Sequence, residues 1–437
     1  MLRREVAISP ADVSLLRSNV SKLGGYALGL LDNLDLGIEK ATFKEHLQRT
    51  KQQLDGIAED QNLLSVALRP RGYTDRGLIE ETNLPWNYPQ TLRFATGACM
   101  ISQKYFRWMR QENIGRSIAA KVLYKCQTGI LDDLIDKGDY NYLEAKDLYH
   151  LVLSSMTDPS LDPNTFMKRL ISILSQEQLP LFDTIVAITS NFNLLFTLSP
   201  HGSDLFNQME TLDERVALGQ ALTMFEKEQH LDLGQVASIS RNFHSLEEGI
   251  PWYERLASYV SGGTRYNLID ISFLERKLKK RRLESFMNGW HFFDIIIVFL
   301  NNIVSVYEDL RDGIANLSLV AMREKDVLPL NTLKGYDPGL ALKDYEGHLL
   351  RLAKLASKGL DGVLEGFPDP EQYYPFIAVM MPVVMLADWI GKNDDMIILY
   401  LESLAPSIRK AVERSSDYDR EKLQVPWRQK AVARLLR

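Results

Sequence analysis

The stretch Ile118–Asp136, IAAKVLYKCQTGILDDLID, decides how the rest of the chain is read. Ile118, Ala119, Val122, Leu123, Cys126, Ile130, Leu131 and Leu134 recur at helical spacing, which makes the segment an amphipathic helix with one face in a core. Its C-terminal end carries Asp132, Asp133 and Asp136, carboxylates at i, i+1 and i+4. Carboxylates at that end oppose the helix dipole, a cost that bound cations would remove.

Outward from this helix the pattern stays helical. It runs from Thr91 to Asp136 with an interruption near Glu112 to Gly115. Upstream, Ser9-Pro10 reads as a helix start, and Thr42-Phe43-Lys44-Glu45 has capping-box spacing before a polar helix that runs to about Asp60. Arg69 to Gln90, with Pro70, Gly72, Gly77, Pro85 and Pro89, breaks the periodicity and sets a boundary between an N-terminal helical extension, residues 1–90, and a body, residues 91–437. Downstream, helices break at Asp158 to Asp162, at Ser199 to Gly202 and at Ser261-Gly262-Gly263-Thr264, and the last major apolar segment is Phe376 to Ile390. Without repeats and with few alternating strand patterns, the chain is all-α.

Bulk properties exclude several classes. The 437 residues are 45% apolar, enough for a sizeable core, and the formal net charge of −6 leaves no general attraction for nucleic acid. The one dense basic run, Lys277 to Arg282, is local and reads as a solvated helix face. Cys99 and Cys126 lie in apolar helical patterns, forming neither a disulfide framework nor a zinc site, which fits a cytoplasmic protein. The segment after Met1 has no apolar stretch of signal-peptide type. The apolar runs Phe292 to Leu300 and Phe376 to Ala387 fall short of the about 20 residues a membrane span needs, so stable insertion is not expected. Glu226, Glu228, His230 and Asp232 alternate and do not converge on one helical face, so they read as solvated surface.

A second polar stretch follows Phe286 to Leu300. Asn301, Ser305 and Asp309 place an amide, a hydroxyl and a carboxylate one turn apart on one helical face that continues an apolar stripe. Buried polar groups need partners, and Mg²⁺, which takes a few protein oxygens and completes its shell with water and phosphate oxygens, would satisfy them.

These two stretches resemble the signature motifs of the class I terpene synthase family: an Asp-Asp-x-x-Asp motif and a downstream Asn-x-x-x-Ser-x-x-x-Glu motif followed by a Gly and an Asn-Leu-Val segment. Asp132, Asp133 and Asp136 match the first in full. Asn301, Ser305 and Asp309 match the second, with Asp309 in place of the usual Glu and Asn302 in place of a frequent Asp; Gly313 and Asn316-Leu317-Ser318-Leu319-Val320 stand where the trailing segment does. The motifs lie 169 residues apart, longer than is usual, and the resemblance covers roughly Thr91 to Leu401. The family's diphosphate-sensing arginine corresponds to Arg255, 46 residues before Asn301, with Arg265 beside the glycine break as a competitor. The family's C-terminal Arg-Tyr pair and the Asp-x-Asp-Asp motif of protonation-initiated cyclases are not found.

The resemblance implies one large antiparallel helical bundle and three Mg²⁺ ions. It implies a lyase that ionises a linear all-trans prenyl diphosphate of C15 or C20 and closes the carbocation into a terpene. A dry apolar pocket is then required, and Tyr124, Thr128, Trp290, Phe293 and Ile297, one to three turns before the metal ligands, together with Trp389, are its candidate lining. Each of these aromatics alone reads as ordinary core packing. Asp294, inside the apolar helix, has no assigned role. A prenyl-coupling synthase and a non-catalytic helical scaffold are the alternatives, and a homodimer is left open.

Overall fold

A computed structural model describes residues 10–59, 73–74, 77–78, 88–224, 231–243, 248–312, 314, 316–323, 342–369, 371–387, 390–391 and 394–423. They are overwhelmingly helical. The ladder at Tyr73–Thr74 and Gly77–Leu78 is only two residues long on each side. Glu226, Glu228, His230, Gly313, Trp389 and most of the expected boundary between Arg69 and Gln90 lie outside the described residues.

Two helices lead, α1 (Pro10–Asn33) and α2 (Lys40–Glu59), followed by α3 (Tyr88–Phe106) and α4 (Gln111–Lys137), which bears the aspartates. Helix α2 begins at Lys40, so Thr42 lies inside the helix and does not cap it. The break between α3 and α4 falls at Arg107–Arg110, a few residues before its expected place, because Trp108 and Met109 already turn back to the Tyr105 and Phe106 carbonyls. Then come α5 (Tyr142–Thr157), α6 (Pro163–Ile173), α7 (Phe182–Thr197), α8 (Gly202–Leu222), α9 (Leu233–Arg241), α10 (Trp252–Val260) and α11 (Gly263–Ser272). The 33-residue α12 (Lys280–Asp312) carries the second polar stretch, and α13 (Leu317–Arg323), α14 (Leu342–Gly366), α15 (Tyr373–Met385) and α16 (Asp394–Leu423) complete the described chain.

Helix α12 is the central strut. Its length and composition would let Lys280–Arg311 cross a membrane, but 72% of its most apolar window is buried inside the protein, as in a core helix. Phe292 to Leu300 is thus the middle of a much longer helix. Its most extensive neighbour is α14. A Cβ on Gly289 would lie 2.6 Å from the Gly362 carbonyl carbon, so the two backbones touch where glycine faces glycine.

The N-terminal helices share the core of the body. Phe43 of α2 packs edge-on against Phe376 of α15 at 4.9 Å, and His46 bridges the Gln103 side chain and the Glu371 carbonyl. A charged pin fixes α3, α4 and α11 together. Lys121 Nζ donates to Asp270 Oδ2 at 2.7 Å, while Ser102 and Ser117 donate to Asp270 Oδ1 at 2.8 and 2.6 Å. All four side chains are buried; burial pulls the Lys121 pKa down and Asp270 opposes the fall.

Candidate metal and diphosphate site

The aspartates sit in the last turns of α4, half-buried. Asp132 Oδ1 accepts a hydrogen bond from Tyr149 of α5. Burial pushes the Asp132 carboxyl above its ordinary range, and the charge of Lys125, seven residues earlier, opposes the rise. Tyr149 was invisible to sequence reasoning because nothing in its own spacing links it to the aspartates.

At the C-terminal end of α12, Asn301 is exposed, Ser305 is half-buried and Asp309 is buried. Ser305 Oγ donates to Asp309 Oδ2 at 2.7 Å, which places those two groups on one face as their spacing requires. Two asparagines hold Asp309 from behind. Asn316 Nδ2 donates to Asp309 Oδ2 at 2.8 Å and to the Asn302 carbonyl at 2.6 Å. Asn302 Oδ1 in turn accepts from the Leu317 amide at 2.9 Å, capping the first turn of α13. The trailing Asn-Leu segment therefore folds back to orient Asp309, and Asn302 is the brace of that fold-back.

The two faces meet a common element two to three turns away from the ligands. Helices α10 and α11 break at Ser261-Gly262-Gly263, and α11 packs against both α4 and α12. A methyl group at Gly262 would collide with the hydroxyl of Tyr124, eight residues before Asp132 on the same α4 face. One at Gly263 would collide with Asp294 Oδ1 and come within 3.0 Å of Trp290 Nε1. Trp290, Asp294, Ile297 and Asn301 form one stripe on α12 at i, i+4, i+7 and i+11. Both ligand stripes thus start from the same glycine pair.

Asp294 gains a role here. Its carboxylate accepts from Ser261 Oγ at 2.9 Å, from the Thr264 amide at 3.1 Å and from Thr264 Oγ1, and so holds the first turn of α11 onto α12. Burial raises its pKa to about 7, against those hydrogen bonds.

The sequence-expected pocket is partly assembled. Trp290 and Ile297 line an apolar cavity of about 520 Å³ between α1, α3, α12 and α15, walled by Gly97, Met100, Met380 and Met381 among others. Phe293 turns instead to α14, where its ring lies 3.0 Å from the position of a Cβ on Gly359. Thr128 is buried and donates to the Lys125 carbonyl. Tyr124 belongs to the glycine break, with the Arg265 guanidinium 4.4 Å from its ring centroid.

Both arginines are engaged elsewhere. Arg255 donates to the carbonyls of Ile250, Arg241 and Phe243 at 3.0, 2.6 and 3.3 Å, bracing the entry to α10. Arg265, 1% exposed, is ion-paired with Asp213 of α8 and donates to the Leu153 carbonyl at 3.0 Å. Burial pushes the Asp213 carboxyl up and Arg265 opposes it. Among the described residues, Lys125 is the cation whose field reaches Asp132.

Among the described residues, no three His, Cys, Asp or Glu side chains form a ready-made cation cage. The donors on the two faces are carboxylate, amide and hydroxyl oxygens, a hard set that suits Mg²⁺, which binds through few carboxylates and fills its shell from substrate phosphates. Compared with protein-family models and with curated protein sequences, the chain matches none.

Proposed function

We propose that the protein is a Mg²⁺-dependent class I terpene cyclase acting on a linear prenyl diphosphate. The observation that carries this reading is the common origin of the two oxygen-bearing faces at Gly262–Gly263, with Trp290 and Ile297 of the same α12 stripe lining a largely apolar cavity.

Asp132, Asp133 and Asp136 on one side and Asn301, Ser305 and Asp309 on the other are the groups to hold up to three ions. When bound, Mg²⁺ supplies positive charge that stabilises diphosphate as a leaving group. The protein contributes the rest. Tyr149 and the Asn302–Asn316 brace orient Asp132 and Asp309 before substrate arrives, so little reorganisation is needed on binding. Heterolysis of the allylic C–O bond sends its electron pair to the diphosphate. The cation left on the prenyl chain is received by a cavity whose α12 and α15 walls, Trp290, Ile297, Ile377, Met380 and Met381, are apolar, while Lys22, Tyr26 and Thr96 contribute polar groups on the α1 and α3 side. Loss of a proton from carbon to form a C=C bond, or capture of water, ends the sequence.

The test is incubation of the full chain with C10, C15, C20 and C25 prenyl diphosphates and Mg²⁺, read by gas chromatography. A cyclic hydrocarbon or alcohol from a single substrate supports cyclisation, a lengthened chain from two prenyl units supports the coupling alternative, and no turnover with no Mg²⁺-dependent diphosphate binding supports a scaffold.

A further inference from the structure

The turn between α11 and α12 concentrates Arg276, Lys277, Lys279, Lys280, Arg281 and Arg282 within seven residues, all six exposed, in a chain of net charge −6. Lys277 pairs with Asp204 at 2.8 Å, and Lys280 lies 3.9 Å from Glu284. Arg276, Lys279, Arg281 and Arg282 form no ion pair among the described residues. Two further cations, Arg107 and Arg110 of the α3–α4 turn, flank the tip, tied to it by the Glu275 amide, which donates to the Trp108 carbonyl at 2.9 Å.

This placement is unfavourable for the isolated protein. Lys280, Arg281 and Arg282 occupy the first turn of a 33-residue helix that has no acidic residue there, so they face the positive end of its dipole. Lys280 is offset by Glu284, but Arg281 and Arg282 have no ion pair among the described residues, and local rules broken in that way mark functional surfaces. The function is not diphosphate binding at the metal faces. Lys280 and Asn301 are 21 residues apart on one unbroken helix, about 31 Å at 1.5 Å per residue. The helix end and the six cations instead add up to a strongly electropositive tip at the opposite end of α12.

We propose that this tip docks the protein peripherally on an anionic bilayer surface, with the lipid headgroups as its ligands. An exposed electropositive tip makes a point contact, which suits a planar anionic surface. The exposed residues from Glu275 to Arg282 include no aromatic on which a base could stack, and the half-buried Trp108 of the flanking turn has its ring engaged by Phe367 at 4.7 Å and the Arg107 guanidinium at 3.9 Å. The 520 Å³ cavity is lined mainly by apolar side chains, and molecules that match such a lining partition into bilayers, so docking would hold the protein where they are concentrated. This proposal is independent of the cyclase reading and holds even if the metal faces are silent.

The experiment is co-sedimentation of the full chain with vesicles of phosphatidylcholine alone and of phosphatidylcholine with phosphatidylserine, with inorganic phosphate and a single-stranded RNA as competitors. Binding to the anionic vesicles alone, released at about 1 M salt where the Debye length is about 3 Å, is expected. Each juxtamembrane cation contributes about fivefold, so the quadruple variant Arg276→Gln/Lys279→Gln/Arg281→Gln/Arg282→Gln should lose several-hundred-fold in partitioning while keeping its helical circular dichroism, roughly as the per-cation value dictates. The single variant Arg281→Gln gives the per-cation step if the quadruple variant fails to fold. Equal binding to neutral vesicles, no binding to anionic ones, or displacement by RNA or phosphate at low concentration would overturn the proposal.

Discussion

Substitution of Gly262 by alanine probes the junction from which both ligand faces rise. The Gly262 backbone, at φ −92° and ψ 13°, lies where alanine is tolerated, so backbone strain contributes little. The added methyl would collide with the Tyr124 hydroxyl and sit 3.0 Å from its Cζ and 3.3 Å from Cε1. Overpacking of this kind costs about 1–3 kcal/mol. The Tyr124 hydroxyl is buried without a hydrogen-bond partner among the described residues, so Tyr124→Phe alone should cost little or nothing. In the Gly262→Ala background the same change removes the nearest clashing atom and should recover part of the loss, giving a coupling of about 1 kcal/mol in the double-mutant cycle. Urea unfolding followed by circular dichroism measures all four states. Additivity within about 0.3 kcal/mol would mean that Tyr124 and Gly262 do not touch, and the shared floor beneath the two faces would be refuted.

Three further outcomes are expected. The Asp294 pKa of about 7 lies above its ordinary value of 3.8, so folding favours the protonated acid; stability is full below about pH 4 and is lost as pH rises through about 7. Urea unfolding across that window should show Asp294→Asn flattening the loss, which is at most about 4 kcal/mol at about 1.4 kcal/mol per pH unit of displacement. Asn302→Ala leaves the Leu317 amide without its acceptor while Asn316 still caps α13, and should lower stability by about 1 kcal/mol, whereas Asn301→Ala, at an exposed site, should leave the unfolding midpoint unchanged while abolishing turnover. Gly97 lines the cavity with nothing within 4 Å of where its Cβ would lie, so Gly97→Ala should stabilise α3 by about 0.5–1 kcal/mol, and Gly97→Phe should shift the accepted prenyl diphosphates to shorter chains in a product assay.

Helical periodicity made the all-α class legible, and the apolar stripe from Ile118 to Leu134 is buried; but α4 is not the one-faced amphipathic helix its spacing implies, because from Ser117 to Leu131 every residue except Lys125 is buried, Lys121 and Gln127 included. Spacing already carried the helix from Phe286 through Asp309, and α12 extends it to Lys280 and Asp312, with Lys277 to Lys279 of the basic run left outside the helix. Spacing placed Trp290 and Ile297 in an apolar cavity but also nominated Phe293, whose rotation by three residues turns it to α14. The partners that orient the two carboxylates, Tyr149 for Asp132 and Asn316 for Asp309, come from other segments, where only the folded chain brings them close. Arg255 and Arg265 were chosen by counting and by proximity to a glycine pair, and counting does not reveal that backbone carbonyls and Asp213 already engage them. The boundary of the N-terminal extension was sought in proline and glycine content, which is blind to the contacts Phe43 and His46 make with the body.

The most direct test of the central claim is product analysis of the full chain with farnesyl and geranylgeranyl diphosphate and Mg²⁺, beside Asp132→Ala. The account predicts a cyclic terpene and released diphosphate that require Mg²⁺ and vanish in the variant. Unchanged substrate under all conditions, or identical turnover by Asp132→Ala, would contradict it.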